Sequence, residues 1–253
     1  MNDSQPNDSH PHDSHPHDSH PHDSHPHDSH PHDSYANDAE LMVLPLVVRI
    51  ERAEPPERAD ALEAAAKAVL SLLDDPGEWA AELAAWQSTG KIRKVVRRAR
   101  GAEWRRAVAL PGRTIGHRTA EVRVHPPVPL DDWPRDLARL QVSGTELTDT
   151  RDLPPAREPI LWANPGLAMS AGKAMAQAGH AAQLAWWASD RSERDAWREA
   201  GLPVSVRTAA PADFAAKVAA GLPVVRDAGF TEIEPGSCTF VAEAPWLYGR
   251  VRR

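Results

Sequence analysis

The run from Ser170 to Trp187, Ser-Ala-Gly-Lys-Ala-Met-Ala-Gln-Ala-Gly-His-Ala-Ala-Gln-Leu-Ala-Trp-Trp, constrains the fold more than any other part of the chain. At about 100° per residue its pattern predicts an amphipathic helix, with Lys173, Gln177 and His180 within roughly 60° of one another. Met175, Ala178, Ala182 and Trp186 line the opposite side. That apolar side is built mainly from Ala and Gly, so the helix backbone can come close to a sheet or to another helix. Ser170 is the expected N-cap, a side-chain acceptor for a free N–H of the first turn. Lys173 then sits in that turn, where a cation meets the positive end of the helix dipole at a cost of ~0.3–1 kcal/mol. A helix selected for stability alone would more often carry an acid there.

Two separate motifs carry a family resemblance. Gly172-Lys173, Ala176-Gln177 and His180-Ala181 resemble the Gly-Lys-x-x-Ala-Gln-x-x-His-Ala helix of the class II peptidyl-tRNA hydrolases, the archaeal and eukaryotic type. Downstream, the run from Arg226 through Asp227 and Gly229 to Ser237, followed by Thr239-Phe-Val-Ala, is similar to that family's Asp-Ala-Gly loop and final strand. The resemblance covers about residues 157–247. It implies a hydrolase that cleaves the ester of peptidyl-tRNA or of N-blocked aminoacyl-tRNA, acting in translation in the cytoplasm. On that resemblance Asp227 orients or deprotonates water, Lys173 stabilises developing negative charge, and Thr231 hydrogen-bonds either. Gln177 and His180 order the pocket or the RNA terminus, Gly229 allows close backbone approach, and Arg226 joins the substrate side. The rival reading is a non-catalytic RNA-binding module that keeps the fold.

Departures from the family pattern lie close to those residues. The loop from Asn164 to Met169 lacks the usual Thr-Asp and an additional base, Phe230 stands where Arg is typical, and Glu232 stands where Gln is typical. A charge run elsewhere offers compensation: Lys91 to Arg106 holds eight basic residues and one acid, Glu103. Such a run reads either as a set of phosphate contacts or as a solvated face. No zinc-ligand spacing, phosphate-binding glycine loop or Gly-x-Ser-x-Gly element occurs, so no cofactor is expected.

The first 34 residues repeat the unit His-Asp-Ser-His-Pro, hold ten of the 13 histidines and have no aliphatic or aromatic side chain beyond Met1 to bury. Residues 1–40 are therefore expected to form a disordered tail. Its His and Asp side chains suit weak capture of zinc, nickel or copper, beside the plainer reading as a solvating tail. The tail carries nine acids and no Lys or Arg, so the remainder sets 29 basic residues against 27 acids and is slightly basic. No apolar run approaches the ~20 residues that span a bilayer, so no membrane partner is expected. The lone Cys238 excludes an internal disulfide.

The rest reads as α/β: a mixed four-stranded sheet flanked by helices, duplicated in tandem. Residues 41–127 are expected to form a degenerate repeat, 128–156 a linker and 157–253 the catalytic domain. In the first repeat, strands are read at 41–50, 91–98 and 118–125. Helices are read at 59–73, 78–87 and 102–110, with Trp79, Leu83 and Trp86 buried. In the second, strands are read at 160–163, 203–207, 224–225 and 239–242, and helices at 170–187, 192–200 and 212–220. Val96-Arg97, Glu103-Trp104 and Val108 match Val206-Arg207, Asp213-Phe214 and Val218 at a constant offset of 110 positions, which points to a tandem duplication; the plainer reading is two unrelated α/β units that look alike because the menu of elements is small. Nothing in the first repeat replaces the Lys173-Gln177-His180 helix, so that copy has lost its site. The family commonly pairs such domains, so the chain is expected either to form a homodimer or to carry its own partner as an internal pseudo-dimer.

Overall fold

The computed structural model describes residues 41–90, 92–228 and 232–249. The repeat tail lies outside the described residues, as do Lys91, Gly229, Phe230 and Thr231.

The first half runs β1 (Met42–Arg49), α1 (Arg58–Asp74), α2 (Ala80–Ser88), β2 (Arg93–Ala99), α3 (Gly101–Ala109), β3 (Arg113–His117) and β4 (Ala120–Val124). A connecting segment holds the short β5 (Val128–Pro129) and α4 (Arg135–Ala138). The second half runs β6 (Ile160–Ala163), α5 (Ala171–Ala188), α6 (Arg191–Glu199), β7 (Ser205–Thr208), α7 (Pro211–Ala219), β8 (Val224–Arg226) and β9 (Cys238–Glu243).

Two sheets result, and their strand orders correspond. The first is β2-β1-β4-β3, with β5 added beside β1, and the second is β7-β6-β9-β8. In each, the first strand pairs parallel with the second and antiparallel with the last. Registers correspond too: Leu46 lies between Val96 and Val124 as Leu161 lies between Val206 and Ala242. β1 and β6 are interior strands of their sheets, and β1 is buried on both faces, with Leu46 and Val48 in one apolar cluster and Val47 in the other, so it reads as a nearly unbroken apolar run.

Two expectations are corrected. β3 was not among the expected strands, because Arg113-Thr-Ile-Gly-His offers only one aliphatic residue and stays partly exposed at the sheet edge. Trp79 is only partly buried, in a 3-10 turn ahead of α2, with the Arg113 guanidinium 5.6 Å from its ring.

The core sits where α1 and α5 meet. Ala61, Ala64, Ala65 and Ala68 of α1, and Ala174, Ala178, Ala181 and Ala185 of α5, are each at most 1% exposed. Small side chains bring the helices close enough that a Cβ on Gly179 would stand 2.9 Å from Val69 Cγ2. α1 lies on the first sheet and also touches β7, while α5 lies on the second and also touches β2. This reciprocity is what a two-fold relation between two like units produces. A second, smaller cluster packs Leu137 and Leu140 of the connecting segment against Val47, Ala99 and Trp104.

Candidate active site

α5 begins as its sequence dictates. Ser170 accepts from the backbone N–H of Lys173 at 3.2 Å, the capping bond that the sequence suggests. Lys173 and Gln177, four residues apart, share one face of the helix. Opposite them β8 ends at Arg226, and the next residue, Asp227, is held by two backbone bonds. Its N–H donates to Ser237 O at 2.9 Å, and its carbonyl accepts from Gly236 N at 2.7 Å.

The side chains then converge. Lys173 Nζ donates to Asp227 Oδ2 at 2.6 Å, and Gln177 Nε2 donates to the same oxygen at 2.7 Å. Gln177 cannot turn its amide away, because its Oε1 accepts from Thr239 Oγ1 at 2.8 Å. Thr239 reaches it through an irregularity in pairing: Val225 lies opposite Phe240, but Arg226 lies opposite Cys238, so Thr239 is the extra residue of a bulge. A bulge of this kind re-aims one side chain out of the regular alternation. The Lys173 and Asp227 side chains are 13% and 6% exposed. A carboxylate buried to that extent needs its charge met, and the ammonium and amide do so.

Glu232 joins the same helix end. Its carboxylate accepts from Ser170 N at 2.9 Å and Ser170 Oγ at 2.6 Å. It ties the segment after Asp227 to the start of α5 and places negative charge at the positive end of the helix.

Of the residues singled out from the sequence, Lys173, Gln177 and Asp227 come together. Gly229 and Thr231 lie outside the described residues. Arg226 stays exposed, with its Nη1 3.0 Å from Cys238 Sγ. His180 is carried a further turn along α5 toward β2. There burial, and secondarily the Lys94 charge, push its imidazole well below the ordinary histidine range. Lys94 Nζ donates to Gln183 Oε1 at 2.5 Å and lies 4.9 Å from the Trp86 ring centroid. Thr239 was not singled out as a site residue; its position one residue into the closing strand was the only signal in the sequence.

The basic run of β2 and α3 is largely engaged by the chain itself. Arg97 donates to Leu140 O at 2.6 Å and Ala138 O at 3.1 Å, Arg98 to Ser143 O at 3.2 Å, and Arg106 pairs with Asp136 at 3.4 Å. Among the described residues no helix is long and apolar enough to cross a membrane.

An ammonium, a carboxylate and a primary amide held together at the carboxyl end of a sheet strand form a compact set for acid–base work on a polar bond. The comparisons point the same way. No curated protein and no solved structure matches the chain. Residues 160–252 match the family model of peptidyl-tRNA hydrolase PTH2, which supports the class II peptidyl-tRNA hydrolase family for the C-terminal part of the chain.

Proposed function

We propose that the C-terminal half hydrolyses the ester between the peptide, or an N-blocked amino acid, and the terminal ribose of tRNA. The observation that carries this reading is the buried Lys173–Asp227 pair, 2.6 Å apart with Gln177 fixed on the same oxygen. Asp227 orients a water and takes its proton as the oxygen attacks the ester carbonyl. Protonation weakens the hold of the carboxylate on the Lys173 ammonium at the moment the tetrahedral oxyanion forms nearby. The cation is then free to stabilise that oxyanion without crossing any distance. Asp227 returns the proton to the departing ribose hydroxyl, and Thr231 hydrogen-bonds the water or the carboxylate. No metal or cofactor enters this scheme.

The N-terminal half takes the role of a built-in partner in the same proposal. Its sheet repeats the strand order of the second, and α1 packs on α5 as a second copy would. The chain is then a tandem duplication whose first copy replaces a subunit. Light scattering at the mass of one chain is the expected result; an obligate dimer formed through the catalytic half would count against it.

One observation favours the rival, an RNA-binding module without turnover. Glu232 puts a carboxylate on the N-terminus of α5, where a phosphate would otherwise find backbone donors. Release of N-acetyl amino acid from N-acetyl-aminoacyl-tRNA separates the two readings. The parent chain is expected to turn over, with Asp227→Asn and Lys173→Ala each slower by at least ~100-fold, the usual range for catalytic acid–base groups. A parent that binds tRNA but releases nothing establishes the rival.

A further inference from the structure

The alternation of β2 sorts the basic run of the first half into two faces. Arg97 and Ala99 face the cluster that holds Val47, Leu137 and Leu140, where Arg97 is fixed on two carbonyls and lies 4.4 Å from the Trp133 ring centroid. Lys94, Val96 and Arg98 face the other way, toward α5. Lys94 reaches Gln183 in the body of that helix, and Val96 belongs to the cluster that holds its alanines. Arg98 comes next in the row. Arg100 follows it, because its extended backbone, with φ of −148° and ψ of 161°, continues the alternation past the end of β2.

This row leads to the start of α5. Arg98 N donates to Gln141 O at 2.9 Å, so the connecting segment pairs with the outer edge of β2. Further along the same segment Thr145 O accepts from Ala171 N at 3.1 Å. There a Cβ on Gly172, the residue before Lys173, would stand 3.6 Å from Thr145 Oγ1. The stretch 141–145 spans at most ~14 Å even when fully extended. Its two tethers, one at Arg98 and one beside Lys173, are therefore no further apart than about four nucleotides of stacked strand.

The guanidiniums in the row are oriented without being neutralised. Arg98 donates to Ser143 O at 3.2 Å and to Gln141 Oε1, a carbonyl and an amide. Arg100 is exposed, and its charge is felt at Glu51, but that carboxylate already accepts from Arg49 at 3.1 Å and from Gly101 N at 3.1 Å. The stretch 141–145 carries no acid. Guanidiniums presented in this way suit phosphate oxygens, and two in succession suit a chain that bears a negative charge at every link. Glu232 occupies the positive end of α5, so a polyanion arriving at Lys173 has to be gripped from elsewhere.

We infer that the end of β2, with Arg98, Arg100 and the segment 141–145 laid along its edge, is an RNA-binding surface for the phosphodiester backbone of the tRNA acceptor end. The N-terminal half then supplies grip on the RNA, while Lys173 and Asp227 act on its 3′ ester. This inference rests on the ester-hydrolase reading above, which names the RNA.

The test follows binding of deacylated tRNA to the full chain by fluorescence anisotropy from ~50 to ~200 mM salt, where counterion release dominates. Arg98→Gln combined with Arg100→Gln should weaken binding by ~10-fold or more, the low end for losing hydrogen bonds to charged groups. It should also flatten the slope of log affinity against log salt by about 1.4, at ~0.7 for each single-strand phosphate. Arg100→Gln alone, a change at an exposed side chain, should flatten it by about 0.7 with the urea midpoint near that of the parent. A kinetic arm compares N-acetyl-aminoacyl-tRNA with N-acetyl-aminoacyl-adenosine, the same ester without phosphates. The advantage of the tRNA in kcat/KM should shrink by ~10-fold in the double variant. Weaker and less salt-dependent tRNA binding by the double variant upholds the surface even if no ester is turned over, in which case only the hydrolase reading fails. An unchanged slope in the double variant, or a parent that binds no tRNA, overturns the surface whether or not esters are cleaved. Poly-glutamate displacing the tRNA as well as an acceptor-end oligonucleotide of equal charge would overturn it in favour of an acidic protein partner.

Discussion

The two halves place different chemistry at one topological position. Glu63, Lys67 and His117 lie 110 positions before Lys173, Gln177 and Asp227; the first two share one face of the corresponding helix, and His117 ends its strand where Asp227 stands one residue beyond its own. In the second half the helix offers a cation and an amide to a strand-end carboxylate. In the first the polarity is reversed: the helix offers Glu63 to His117 Nε2 at 2.7 Å, with Lys67 Nζ 3.2 Å from Nδ1. The first cluster is also closed. Arg118 Nη1 lies 2.9 Å from both Asp60 Oδ1 and Glu63 Oε2, so a guanidinium fills the gap between carboxylates that otherwise resembles a metal site. Arg118 holds that place from a left-handed backbone with φ of 51°, a conformation a non-glycine residue adopts rarely. Glu63 reaches across to the other half as well, accepting from Val206 N at 3.0 Å and Arg207 Nη1 at 3.2 Å. The corresponding positions thus hold the Lys173–Asp227 pair in one half and a strut between halves in the other.

That contrast makes Glu63 the residue whose loss should cost most. Its side chain is fully buried and surrounded by Arg118, Arg207, His117 and a backbone N–H. Burial alone would raise its pKa, but the hydrogen bonds from His117 and Val206 N and the Arg118 charge outweigh it and hold the pKa below the usual value. Glu63→Ala leaves those donors buried without their acceptor, and urea unfolding should show a loss of about 3–5 kcal/mol. Lys173→Ala breaks a pair of similar length, yet Gln177 still donates to Asp227 and the Lys173 side chain is 13% exposed. Its loss of stability should be clearly smaller. Equal losses would mean that both clusters are structural, and would remove the distinction between strut and site.

Gly179→Ala sharpens the same comparison at the helix crossing. Val69 stands at the position corresponding to Gly179, and the two meet near the two-fold relation between the halves. The added Cβ would fall 2.9 Å from Val69 Cγ2 and 3.4 Å from the Lys94 side chain. Valine is stiff about χ1 and cannot swing aside, so overpacking should cost about 1–3 kcal/mol. Adding Val69→Ala should recover part of that loss, because it returns the volume to the same contact. Additive losses in the double variant would show that the two residues do not share a contact.

The sequence made the element order legible because apolar periodicity dominates β1, α1, α5 and β9. It made the Lys173–Asp227 meeting legible through two motifs in family order. What it hid depends on pairing between segments. β3 has a single aliphatic residue, Ile115, and is recognisable only beside β4, with Ile115 opposite Val122. The bulge that aims Thr239 at Gln177 is set by the register between β8 and β9, which no local pattern announces. Glu63, Lys67 and His117 sit at the repeat spacing, but their residue types are so unlike those of the second half that the spacing alone did not identify them. His180 shares a helical face with Lys173 and Gln177, as the periodicity implies. It still meets different neighbours, because each further turn of α5 moves a side chain along the sheet and away from the strand end.

His180 carries the smallest of the expected effects. Leu70 stands at its corresponding position in α1, so His180→Leu asks what the imidazole adds. The charged neighbour facing it is Lys94 of β2, itself pushed well below the ordinary lysine range by burial. Burial first, and the Lys94 charge second, lower the His180 pKa, so the folded chain favours the neutral ring. As pH falls below ~6.5 the unfolded chain takes up a proton at this ring and the folded chain does not. Stability from this group is therefore fully present above that value and declines as pH drops toward the lower folded pKa. The decline is at most one proton's worth, ~1.4 kcal/mol per pH unit. In urea unfolding between pH 7 and pH 5, His180→Leu should flatten the acid limb by up to that slope and leave the neutral-pH midpoint close to the parent. An unchanged acid limb would mean that the ring already takes up its proton in the folded chain. His180 would then be accessible to a ligand, and closer in kind to Lys173 than to Leu70.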